Sequence, residues 1–591
     1  MKRKKVILGF FCLAAVFGGR AVVMSQPATG LTAIDLGKSE LSDAILLFTQ
    51  DWYSLERHFG CAILPLRRER LQKLCAQWLS VLAETDFIKL NDDGRVDYIL
   101  LAQFLRRCQQ GLQREEKRFN ETEALLPFTR KLLSLFEAQR RMQWVEAPRA
   151  AVLLNDIAVQ IRQLQAKLDD GKTPALPAGE RPAKNVAERA FAFCGQLRQA
   201  LKEWFDFYNS YDPLFTWWLA EPYKDLEQTL QSYAAFLRRQ LVGAAADDQA
   251  VIVGDPIGRE ALLAELAAEM IAYTPEQLIA IGEREMAWCE GEMLKVSRQL
   301  GFGSDWHKAI EHVKGLYVEP GRQPELIHRL ALEAIAFMEK NDLLTIPPLA
   351  KEDWHIVMLS PQQQLVNPFF TGGEDISLSY PVSTMSQEQK MMSLRGNNPH
   401  FARATVHHEL IPGHHLQGFM AERYRAYRRI FSTPFYVEGW PLYWEMLLWD
   451  MDFARSAEDR LGMLFWRLHR CARIIFSLNF HLGRMTPEAC VDFLVQRVGH
   501  ERENAVAEVR RSCNGSYDPL YQCAYMLGGL QLRALAREAV GGGRMTLKAF
   551  HDAVLRENSM PIALLRARLL GLPLDRDFKY DWDFYGALTK K

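Results

Sequence analysis

The segment Ala404–Gln417 reads A-T-V-H-H-E-L-I-P-G-H-H-L-Q and gathers His407, His408, Glu409, His414 and His415 into one short window. The chain holds only 14 histidines, so this density is not background. Neutral imidazole is the commonest protein ligand for zinc, and a glutamate directly after a ligand histidine can take a proton from the water that the ion activates. In the usual zinc helix the two histidines stand at i and i+4. Here the position four after His408 is Pro412, which offers no ligand atom. The next histidines fall at i+6 and i+7. A regular helix turns about 100° per residue and would return His415 to the face of His408. A break at Pro412-Gly413 would instead swing His414 towards it, because proline removes a backbone donor and glycine relaxes the chain. Spacing alone names the site and leaves both histidines in play as the second ligand. A third ligand is available downstream: Glu438, in Y-V-E-G-W-P-L-Y-W-E, with Glu445 seven residues further on the same helical face as a rival or an outer partner.

The elements that must carry these residues are helical. From Leu41 to Leu241 apolar residues recur every three or four positions, as in Leu71, Leu74, Trp78, Leu79 and Leu82, with charged residues between them. The Pro/Gly-rich stretch Asp169–Asn185 is the best internal boundary, read as a surface loop. A Gly-rich break at Gly254–Gly258 precedes a helical run from Glu260 to Gln299. Inside that run Thr274-Pro275-Glu276 predicts a stop and restart, with Thr as cap and Pro as first helical residue. Only Leu344–Pro381 departs from the helical pattern. Trp354–Leu359 and Ile376–Tyr380 alternate as strands do, with Thr371–Gly373 as a turn between them. Trp466–Phe480 is a further helix. Trp204, Phe207, Trp217 and Trp218 are expected in the core.

These motifs carry a resemblance. H-H-E-L-I-P-G-H-H-L-Q followed by E-G-W at Glu438–Trp440 resembles the core of the bacterial domain-of-unknown-function family 885. That family is similar in organisation to helical zinc peptidases of the angiotensin-converting-enzyme and thermostable-carboxypeptidase kind. Gly258-Arg259, Arg470-x-x-Arg473, the Pro519–Gly528 stretch and Phe550–Pro561 extend the likeness from about Gly258 to Leu570. The resemblance implies His408, His414 and Glu438 as zinc ligands, with His415 the alternative, and Glu409 as the base that activates a zinc-bound water. It also implies a late-helix tyrosine as oxyanion donor: Tyr525, with Tyr517 and Tyr521 as rivals. His481 matches the family's histidine, whereas Ser477 stands where an Asp is usual and Asn479 where a Gly is usual.

The expected fold is mainly α, two helical lobes around a deep groove with a small sheet at the cleft. Residues 1–25 read as a signal peptide, with Lys2–Lys5 basic and Val6–Gly19 apolar but too short for an ordinary membrane span. Residues 26–591 then form one domain, with a helical part at 26–257 and a catalytic part at 258–591. The expected location is periplasmic or secreted; the alternative is an N-terminal membrane anchor. Lys plus Arg equals Asp plus Glu at 72 each, so charge gives no case for nucleic acid. Ten cysteines without a C-x-x-C pair read as buried thiols. The expected activity is zinc-dependent hydrolysis of short peptides by a carboxypeptidase- or oligopeptidase-like enzyme. The alternatives are an inactive peptide-binding envelope protein and a zinc hydrolase of another amide or ester.

Overall fold

The computed structural model describes residues 39–169, 182–248, 251–364, 369, 371–515 and 517–589. The signal segment and residues 170–181 of the 169–185 loop lie outside the described residues. The protein is mainly helical, with one two-stranded sheet. Residues from Lys38 onward form one compact unit.

Two large cores hold it together. The first four-residue-periodic helices, Ser42–Phe59, Pro65–Glu84 and Asp92–Glu121, put Ile45, Phe48, Cys75, Val96 and Leu101 into the main core, alongside residues from Leu262 to Phe584. The helices Thr129–Arg140, Ala147–Asp169, Lys184–Tyr208 and Pro213–Leu237 enclose a second core around Leu154, Ile161, Leu197, Trp204 and Leu230. The helices before residue 257 are therefore shared between the two cores. A buried ion cluster also ties them to the later chain. Arg428, fully buried, donates from Nε to Asp97 at 2.6 Å and from Nη1 to Glu557 at 2.9 Å. Such a charge is tolerated only because each partner is in bonding range.

Local chemistry explains the helix starts. Thr274 forms a capping box with Gln277, with Pro275 in the first turn, so the restart occurs at the expected residue. The helix Ala457–His481 contains Trp466–Phe480 and is buried along nearly its whole length.

Two expectations are corrected. Strands Ile356–Met358 and Ile376–Leu378 pair in parallel, Ile356 opposite Ile376, so the Thr371–Gly373 turn expected between them does not by itself join one to the other. A helical turn at Pro361–Gln364 follows the first strand, and the Thr371–Gly373 turn folds back only far enough for Thr371 to bridge Ser377 in antiparallel sense. Of the four aromatics expected inside, only Trp204 is buried; Phe207, Trp217 and Trp218 are exposed, Trp217 by 82%. The amphipathic period placed these residues on a helix without telling which face meets a neighbour. The nine described cysteines are unbridged, and all but Cys61 and Cys108 are fully buried.

Candidate metal centre and its cleft

The helix Pro399–Glu409 starts where Asn398 caps it, its side chain accepting from the amides of His400 and Phe401 with Pro399 in the first turn. It stops at Glu409, and a second helix begins at His414. Between them the chain turns back: the Gly413 amide donates to the His407 carbonyl at 3.0 Å. Gly413 lies against the backbone of His408, so close that a Cβ there would stand 1.8 Å from the His408 carbonyl oxygen. Only glycine permits that approach. The break brings the His408 and His414 rings to 4.9 Å, nearly perpendicular.

Glu438 ends the turn Pro434–Val437 and opens the helix Gly439–Asp450. That helix touches the helix Tyr521–Val540 backbone to backbone, since a Cβ on Gly439 would meet the Gly528 Cα at 2.7 Å. The contact lets Tyr521 donate its hydroxyl to Glu438 Oε1. The other oxygen, Oε2, is buried, has no hydrogen bond, and lies 3.6 Å from His408 Nε2 and 3.2 Å from His414 Nε2. Ligand atoms of His408, Glu409 and His414 also fall within 4.8 Å of one another.

The surroundings favour a cation here. Burial opposes charge on His408, yet its contacts with Glu438 and Glu445 lift its pKa to about 9. Burial likewise opposes the charge on Glu438, but the imidazoles beside it hold its carboxyl well below the usual range. His408 Nδ1 donates to Glu445 Oε1 at 2.7 Å, which turns Nε2 inward, towards Glu438. Glu445 is thus the outer partner of His408. His415 points away: its Nε2 lies 2.9 Å from the Ala350 carbonyl and 3.0 Å from Asp353, and its Nδ1 is 3.3 Å from the Gly373 carbonyl. Glu409 Oε2 accepts from the Gly372 amide at 2.6 Å. So His408, His414 and Glu438 converge with Glu409 beside them, and His415 instead braces the loop that holds Glu409.

The cleft over these residues has a volume of about 240 Å³. Tyr517, Tyr521 and Tyr525 all line it, as do Phe369, Thr371 and Gly372 from the segment that bridges to the second strand. The Tyr525 ring lies 6.2 Å from that of His408, almost parallel, and burial raises its hydroxyl pKa, so it remains a proton donor. His481 is not among the lining residues. It is buried elsewhere, its pKa lowered to about 4 chiefly by burial and then by Arg118. Ser477 is buried with an unbonded hydroxyl, and Asn479 donates to the Ile475 carbonyl; neither lines the cleft.

Sequence reasoning did not assign roles to Trp466, His469, Arg470, Arg473 and Arg511, which form one wall. The signal was present for the first helix: Arg467, Arg470 and Arg473 interrupt an otherwise apolar, fully buried face at helical spacing. Arg511 comes from another helix, Arg502–Cys513, and only folding joins it to them.

With this geometry in place, comparison with known proteins gives a family. Residues 64–569 match the model described as "Bacterial protein of unknown function (DUF885)", and the chain belongs to that family. Two solved structures share the fold. One is "a putative lipoprotein of unknown function from Shewanella oneidensis", with 17% identity and a TM-score of 0.65, covering 90% of this chain and 99% of that one. The other is "the putative lipoprotein from Colwellia psychrerythraea", with 16% identity and a TM-score of 0.56, covering 90% and 98%. No curated protein matches the chain. Among the described residues no helix is long and apolar enough to cross a membrane.

Proposed function

We propose that this protein is a zinc-dependent hydrolase of peptide bonds in short peptides, acting outside the cytoplasm. The observation that carries the reading is the unbonded Oε2 of Glu438, buried between the Nε2 atoms of two histidines. Two imidazoles and one carboxylate, with room for a further ligand, are the donor set of hydrolytic zinc sites. In this reading His408, His414 and Glu438 hold the ion, which supplies Lewis-acid polarisation of the scissile carbonyl. Glu409, steadied by the Gly372 amide, takes a proton from the attacking water. As the carbon–nitrogen bond breaks, Glu409 passes that proton to the leaving amine. Tyr525 donates a hydrogen bond to the oxygen that gains charge. Phe369 and Trp466, edge to face at 5.0 Å, give the cleft an apolar wall for a side chain.

The test pairs metal content with a single substitution. Purified protein never exposed to chelator should carry about one zinc per chain and cleave members of a mixed peptide pool. Glu409→Gln should keep the zinc and lose at least ~100-fold in rate, the lower range for general acid–base catalysis. Protein without transition metal, or a Glu409→Gln variant that turns over like wild type, overturns the reading. Zinc-replete wild-type protein inactive on every peptide favours a binding protein instead.

A further inference from the structure

Beside the proposed metal centre, one part of the cleft carries arginine donors that the acids facing them leave unmet. Three guanidinium groups line it, Arg470, Arg473 and Arg511. Two carboxylates face them. Glu508 is already saturated: it accepts from Arg473 Nε at 2.6 Å, from Arg511, and from Gln522 at 2.9 Å. Glu445 accepts from His408 at 2.7 Å and reaches Arg470 only at 3.4 Å. Donors are left over. Arg473 Nη1, Arg470 Nε and Arg511 Nε are buried without a hydrogen-bond partner, and the Arg473 side chain is 3% exposed. His469, on the same wall, supplies no anion.

A buried cation with a spare donor costs free energy until an anion meets it. Arginine's planar fork is shaped for a carboxylate. The position is set by Tyr525, whose ring lies 6.2 Å from the His408 ring and 4.3 Å from the Arg473 guanidinium. Placed end to end, these spacings keep the guanidinium within about three residues of extended chain from His408, at roughly 3.3–3.6 Å per residue. Arg470 lies over the same ring at 4.8 Å.

We propose that Arg473, seconded by Arg470, binds the C-terminal carboxylate of the substrate, so that the enzyme removes residues from the carboxyl end. This rests on the hydrolase reading above for its reaction, but the anion site stands on its own geometry. The same chemistry is offered by an acidic side chain, and the experiment separates the two sources.

An N-acetylated pentapeptide is supplied in three forms to zinc-loaded protein: free C-terminal acid, C-terminal amide, and C-terminal amide with glutamate as the last residue. Cleavage is followed by mass spectrometry. The acid should exceed the plain amide in kcat/KM by ~10- to 150-fold, the range for a hydrogen bond to a charged group. Cleavage should fall within three residues of the carboxyl end. Arg473→Ala should abolish the preference, bringing the acid-to-amide ratio of kcat/KM to about one whatever the substitution does to the rate common to both forms; a ratio that stays at the wild-type value overturns the assignment to Arg473. Equal cleavage of acid and amide in wild type overturns the proposal, and needs no variant that folds. A glutamate amide cleaved as fast as the acid assigns the site to a side chain and overturns the C-terminal assignment. If no form is cleaved, calorimetric titration of zinc-loaded Glu409→Gln with acid and amide decides: preference for the acid supports the carboxylate site while the hydrolase reading fails, and equal affinity overturns the site.

Discussion

His414 and His415 are adjacent, yet their replacement by alanine should have opposite signatures. His414 Nε2 stands 3.2 Å from the unbonded oxygen of Glu438, whereas His415 spends both nitrogens near the carbonyls of Ala350 and Gly373. Structural zinc sites bind with roughly 10–16 kcal/mol shared among four ligands, so one ligand carries about 2.5–4 kcal/mol. His414→Ala should therefore weaken zinc by about 10²–10³-fold. His415→Ala removes no ligand. It loses contacts worth about 1 kcal/mol each and leaves a small cavity, costing roughly 2–4 kcal/mol of stability. Its zinc affinity should stay within about threefold, and its rate should fall because the Gly372–Gly373 loop that steadies Glu409 loses a brace. The assay is competition against a chromophoric chelator, with urea denaturation of each metal-free variant beside it. If His415→Ala abolishes zinc binding while His414→Ala keeps it, the break at Pro412-Gly413 does not orient the ligands as described.

Two further outcomes follow from the packing. Gly413→Ala would force a Cβ to 1.8 Å from the His408 carbonyl, so the turn must shift by more than an ångström; zinc affinity should drop ~100-fold or more with helical content intact, and a titration matching wild type would refute the close-contact argument. The third concerns acid. Burial lowers the pKa of His481 and His551 to about 4 and that of His500 to about 3, against about 6.5 in the unfolded chain. Between these values the unfolded chain binds protons that the folded one refuses, so the stability these three histidines contribute is full above pH ~6.5 and is lost as pH falls towards 4. Urea midpoints at pH 7 and 4.5 check this, and a flat profile refutes it.

Much of the site was legible because its signals are local. Ligand types, the helix-breaking Pro-Gly pair and the Thr274 cap each depend on a few neighbouring residues, and the structure puts the break and the cap at those residues. Glu438 was readable as an acid on a helix soon after the histidines, and it meets them. What stayed hidden depends on packing. The Gly372 amide reaches Glu409 only after the strand segment folds over the cleft. Glu445 was readable as an outer partner or a rival ligand, but that it pairs with His408 depends on how two helices meet, which spacing within one helix cannot reveal. Strand direction was illegible because alternation specifies a face and not a partner. The exposed Phe207, Trp217 and Trp218 show the limit of the helical period: it groups residues on one side without saying whether another layer covers that side.

The break at Pro412-Gly413 and the turn at Glu438 keep the three proposed ligands within one short stretch of chain, whereas the arginine wall comes from the helices Ala457–His481 and Arg502–Cys513. The two are encoded apart in the chain yet meet at Glu445, which accepts from both His408 and Arg470. On the proposed function, a substitution in the later helices would act first on recognition and one in the earlier stretch first on the ion, with Glu445 the side chain through which either change reaches the other half.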